Sequence, residues 1–147
     1  MRLLLFAALV GCGSTAPAST TPPPHAVTAP PADAAAPPAL EDDPTALAQR
    51  SVVMYQAIAK ALTDAKDCAA AAQSLDAVAT AHQDVIAANA KTLHAGHEKI
   101  QRLKTALEPH DQELTAAAQT ISSSPLMKSC SGDPAFAKAA DRLLGEP

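Results

Sequence analysis

Aromatic side chains are nearly missing from this 147-residue chain, which has no Trp, one Tyr and two Phe. Glycine is scarce too, at five residues, too few for a sandwich built on many tight turns. Charge is modest and acidic, with 11 basic against 15 acidic side chains and a net charge of −4. That balance excludes a nucleic-acid binder that works by neutralising phosphates. No HExxH, GxSxG, P-loop or GxGxxG pattern occurs, and spacing supports no Ser/His/Asp set, so no enzyme is expected. What the chain has instead is alanine, at 36 positions. Many alanines and few aromatics favour closely packed helices over sheets.

The first residues, MRLLLFAALVGCGS, carry a secretion signal. Arg2 supplies the positive start, and Leu3 to Val10 form an apolar run too short to span a bilayer as a mature helix. Leu9-Val10-Gly11-Cys12 closely resembles the lipobox of bacterial lipoproteins. The other readings of this run are an ordinary signal peptide with a chance Cys, or an internal apolar segment. The resemblance implies cleavage before Cys12, after the small residue Gly11, with acylation of the Cys12 sulfur and its new amine. Each buried methylene adds about 0.8 kcal/mol, so several chains anchor firmly where one holds weakly. Residue 13 is Gly rather than Asp, which in lipoproteins of diderm bacteria implies sorting to the outer membrane. The membrane is then the expected partner, and the cell envelope, facing the periplasm or the surface, the expected location. Removal of Arg2 leaves 10 basic and 15 acidic residues, a charge of −5 before acylation.

From Gly13 to Asp43 eight prolines sit among Ala, Thr and Ser with no apolar periodicity. Such a stretch cannot bury enough surface to offset its ordering entropy, and proline biases it to polyproline II. At about 3.1 Å per residue it extends on the order of 90 Å, a spacer between an anchor and a folded domain. The expected organisation is a signal peptide over 1–11, the lipidated Cys and a disordered tether over 12–43, and a helical domain over 44–147.

Helix signals begin at Asp43-Pro44, an N-cap side chain followed by proline at the first helical position. A first helix is predicted to about Ala65, with Leu47, Met54, Ile58, Ala61 and Ala65 near one stripe. Asp67 caps a second, whose stripe is Cys68, Ala72, Leu75, Ala79, His82, Ile86, Asn89 and Leu93. These steps of four and three are the heptad period of a packed bundle or coiled coil. Gly96 is the expected stop. A third helix comes next with Ile100, Leu103, Leu107, His110, Leu114, Ala117 and Ile121 inward, ending over Ser122 to Pro125. Pro109 should kink or split it. Asp133-Pro134 starts a short fourth helix with Phe136, Ala140, Leu143 and Leu144. Short loops make successive helices antiparallel, so the prediction is an all-α, antiparallel up-down bundle of three long helices and a short fourth.

With Cys12 assigned to lipid, Cys68 and Cys130 remain as an even pair in an exported, oxidising location. An up-down-up-down path puts both at one end of the bundle. Their disulfide closes a long loop, worth about 4 kcal/mol in the chain-entropy relation.

His82 and His110 both fall on inward stripes, and folding the second and third helices back on each other brings them near one another, with Met54 roughly a turn away. Two imidazoles and a thioether form a ligand set for haem or a transition metal. The plainer reading makes both histidines boundary residues bonded to neighbours such as Asp111 and Glu113. His94 and His97, with Glu98, form a weaker chelating pattern at the bundle tip, or simply a solvated turn. The domain is similar in architecture to four-helix-bundle cytochromes of the b and c-prime types. It lacks the CxxCH attachment motif and any His on the fourth helix, so the resemblance implies a fold and no cofactor. The function expected is a non-enzymatic interaction or structural module of the cell envelope; the alternative is a haem- or metal-binding bundle using His82, His110 and Met54.

Overall fold

Three aspartates start the main helices by the same device. In the computed structural model, which describes residues 38–145, Asp43 accepts the Ala46 amide at 2.9 Å and opens α1 (Pro44–Asp64). Asp67 accepts the Ala70 amide at 2.8 Å and opens α2 (Cys68–Ala81). Asp133 takes two amides, of Ala135 and Phe136, at the head of α7 (Pro134–Leu144). Each carboxylate satisfies a backbone donor that has no partner within the helix. Between them lie α3 (Gln83–His94), α4 (His97–Leu107), α5 (Asp111–Ser123) and α6 (Pro125–Ser129). The described secondary structure is entirely helical. The signal segment, Cys12 and the tether as far as residue 37 lie outside the described residues.

The path is up-down-up-down. Ala61 and Leu62 of α1 meet Ala71, Ala72 and Leu75 of α2, while Leu47 and Met54 meet Val85 and Ala88 of α3, so α1 runs antiparallel to α2 and α3. The next rod, α4 and α5, returns parallel to α1, with Leu103 near Leu47 and Ile121 near Ala61. Finally α7 runs down alongside α2, Phe136 beside Ala72 and Arg142 paired with Asp76. Ile58 and Val78 pack against both halves of the core.

Three details depart from the sequence reading. The second helix, expected unbroken to Leu93, is interrupted at His82, where φ is −116° and ψ is 22°. Just before this point the Thr80 hydroxyl bonds to the Asp76 carbonyl at 2.9 Å, a local bond of the kind that bends helices. The third splits at Pro109, as the missing amide demands, into α4, a 3-10 turn over Glu108–His110, and α5. The three long helices and short fourth are thus four rods, two of them segmented, with a one-turn helix, α6, before Cys130. The folded region also begins earlier than residue 44. Leu40–Asp42 form a 3-10 turn whose Glu41 pairs with Lys91, and Asp42 with Lys99, each at 2.7 Å.

Cys68 and Cys130 are paired at disulfide distance, with Cα atoms 5.4 Å apart across 62 residues of sequence. Cys130 is fully buried in the upper core with Phe136, the core's single aromatic. Removing the pair as Cys68→Ala/Cys130→Ala should lower the unfolding free energy by about 4 kcal/mol, read from urea denaturation; an unchanged midpoint would contradict the role assigned to it.

Hydrogen bonds from Lys91 to Glu41 and from Lys99 to Asp42 hold both carboxyls below their ordinary titration range, and Arg50 does the same for Asp84. A lowered carboxylate pKa stabilises the fold above the ordinary range, and that contribution disappears as pH falls through the lowered value. Stability should therefore decline below about pH 4. Because these pairs are exposed, the decline should be small and weakened further by salt. Thermal melts of Lys91→Gln/Lys99→Gln should show a flatter acid limb than the parent, and superimposable profiles would remove these pairs from the account.

Candidate functional site

The interruption at His82 rotates α3 relative to α2. Buried positions run through Ala72, Leu75 and Ala79, then continue at Val85, Ala88 and Thr92. The continuation expected from the heptad is Ile86, Asn89 and Leu93, each one residue later. One residue is about 100° around a helix, so these three side chains sit beside the buried line and not on it: Ile86 packs at the edge of the lower core, Asn89 reaches Ser51 of α1, and Leu93 is largely exposed. They line an open groove of about 710 Å3.

Its walls come from all four rods. From α3 come Ile86, Ala90, Leu93 and His94; from α4 and α5 come Leu103, Leu107, Leu114 and Ala118. Met54 and Tyr55 of α1 contribute between them, and Leu143 and Leu144 at the end of α7 border the mouth. Leu93 is 65% exposed and Leu144 74%. Among the described residues no Lys, Arg, Asp or Glu lines the groove. At its floor the Asn89 side-chain amide donates to the Ser51 hydroxyl at 3.1 Å.

The groove exists because α7 covers only α2. Its axis ends at Gly145, a left-handed C-cap with φ of 78°. A β-carbon at that glycine would stand 3.4 Å from Ile86 Cγ2 and 3.8 Å from the Ala90 side chain. The helix therefore ends level with the first turns of α3, and among the described residues no fourth rod lies beside the lower part of α3. Across the gap, α4 and α5 pack chiefly on α1 and touch α3 far less. Side chains that a closed bundle would press together face each other across open space.

Of the proposed ligand trio, only Met54 reaches this groove, where it is also buried among Leu47, Val85 and Ala88. His82 sits half-buried at the junction of α2 and α3. His110 closes the 3-10 turn and pairs with Glu113 at 3.3 Å, the neighbour anticipated by the plainer reading. That turn packs chiefly on its own flanking helices, so the fold does not gather His82, His110 and Met54 on one wall. Among the described residues no three His, Cys, Asp or Glu side chains cluster as a metal site. Of the tip histidines, His94 is on the groove and His97 is exposed at the start of α4.

Most groove residues fall on the predicted stripes, where the heptad pattern makes them core. The distinction has a direct test. Leu75→Ala, in the buried core, should cost about 2–5 kcal/mol of stability. Leu93→Ser should shift stability by no more than about 0.5 kcal/mol, as for an ordinary surface site. Equal losses in denaturant titrations would mean that the groove is closed in solution.

Comparisons with protein-family models, curated proteins and solved structures found no match to this chain.

Proposed function

We propose that the chain is a lipid-anchored bacterial cell-envelope protein whose helical bundle serves as a non-enzymatic binding module. The observation that carries the binding half of this reading is the uncharged aliphatic groove between α3, α4, α5 and the end of α7. Water covers such a surface only at a cost in free energy, and apolar patches of this kind on folded domains mark places where something else binds. The groove's volume falls within the range of about 300–1,000 Å3 common to ligand sites.

The anchoring half rests on the lipobox-like Leu9-Val10-Gly11-Cys12 and the proline-rich stretch after it. Acyl groups on Cys12 attach the chain to a membrane, with Gly13 favouring the outer membrane and a periplasmic or surface-facing domain. A paired Cys68 and Cys130 agrees with an oxidising compartment, where structural disulfides persist.

Cells given radiolabelled palmitate should incorporate it into the wild-type chain, which should fractionate with membranes. Cys12→Ala should carry no label and leave the membrane fraction, while the Cys68–Cys130 peptide remains linked in non-reducing mass spectrometry. Label persisting in Cys12→Ala would overturn the anchor.

A further inference from the structure

We propose that the groove binds one acyl chain of a free fatty acid, with the carboxylate on the side formed by α1 and α3. This rests on reading the groove as a binding site and is independent of the anchor at Cys12. Three observations select this occupant over a helix or a second copy of the chain.

The first is size. Along α4 and α5 the groove extends from Leu103 to Ala118, a helical distance of about 22 Å. A membrane acyl chain spans one leaflet, about half of the 30 Å hydrocarbon core, and fits this length.

The second is the character of the walls. Leu, Ile, Met and Ala make up most of them, without a charged side chain among the described residues. Protein partners usually engage through aromatic or Arg anchors, and the groove offers only Tyr55 of that kind. A second copy needs an apolar ridge to insert. Among the described residues the exposed large hydrophobic side chains are Val53, Tyr55, Leu93, Met127 and Leu144, of which three already belong to the groove. Val53 and Met127 lie on different rods, α1 and α6, and form no stripe.

The third is polarity across the groove. Its polar side chains come from two rods, Ser51 and Tyr55 of α1 and Asn89 and His94 of α3, whereas the α4, α5 and α7 side chains that line it, Leu103, Leu107, Leu114, Ala118, Leu143 and Leu144, are aliphatic. A ligand with one polar head and one apolar tail matches that division. Asn89 donates one amide hydrogen to Ser51 and has further hydrogen-bonding capacity, which water or a carboxylate can meet.

The test uses the chain from residue 12 carrying Cys12→Ala, so that no acyl group of its own competes. A fluorescent sixteen-carbon fatty-acid analogue should bind saturably at one site per chain and be displaced by palmitate. Leu93→Asn/Leu144→Asn changes two exposed side chains, so folding should persist, as checked by circular dichroism and melting. Binding should weaken at least tenfold, because two leucines no longer shield the tail from water. A diazirine-bearing fatty acid should label peptides from α3, α4, α5 or α7. No saturable binding, unchanged affinity in the folded double variant, or labelling confined to other helices would overturn the proposal. So would probe exclusion by self-association, detected by sedimentation, which would identify a second copy as the occupant. The palmitate label on Cys12 is read separately, so failure of the anchor and failure of the groove ligand are distinguishable.

Discussion

The bond between Cys68 and Cys130 decides where the fourth rod begins. Cys68 opens α2, and Cys130 precedes α7 by a single turn of chain, so pairing them sets the top of α7 beside the top of α2. From there the lengths of the rods determine the rest. Eleven residues carry α7 about 16 Å, whereas α2 and α3 together run about 40 Å. The fourth rod covers the upper half of the second and stops. Below that point, among the described residues, the apolar stripes of α3, α4 and α5 have no partner rod between them, and the groove is what remains. Arg142 strengthens the arrangement by pairing with Asp76, two turns into α2.

Alanine makes the covered half possible. Ala61, Ala71, Ala72 and Ala139 occupy the buried surface around Leu62, Leu75 and Phe136, and small side chains let neighbouring helices approach closely. The same choice limits how much apolar area each residue removes from water, since stabilisation scales with that area. A core of this composition leans on its cross-link more than a core of leucines would. The lower half is thinner still, with Leu47, Met54, Val85 and Ala88 as its buried cluster. Its outer edge is tied down by the 3-10 turn at Leu40–Asp42 through two exposed ion pairs, and pairs of that kind contribute little individually.

Local chemistry is the legible part of this sequence. The three Asp caps, the Gly96 turn with its φ of 99° and the split at Pro109 each depend on a few residues near one another, and the pairing of Cys68 with Cys130, 62 residues apart, follows from the up-down path. The all-α class follows from the 3.6-residue rhythm. The one-residue slip at His82 is not legible, because Thr80, Ala81 and His82 fit the heptad as well as their neighbours do. The hydroxyl bond of Thr80 to the carbonyl four residues back is no signal either, since Thr92 and Thr120 make the same bond within α3 and α5. The groove is hidden for a related reason. A heptad stripe marks a face that is apolar, and says nothing of whether a partner rod is long enough to cover it. His110 is the converse case: its stripe position suggests an inward ligand, but Glu113, three residues on, lies within reach on the same helical surface.

Closing the groove by collapse would face an obstacle at its floor. Ser51 and Asn89 bond to each other, leaving an amide hydrogen and acceptor capacity on Asn89 to be met from the groove side. Pressing α4 and α5 onto α3 would seal those groups under leucine side chains, and a buried polar group without a partner costs about 1–3 kcal/mol. Such a cost offsets much of what burying Leu93 or Leu107 would return, at about 1.5–3 kcal/mol for a fully buried leucine. Opening is therefore favoured by two separate features: the short α7, which withholds a cover, and the polar floor, which penalises a dry closure. An amphiphile relieves both, since its tail covers the leucines while its head, with accompanying water, meets Asn89 and His94.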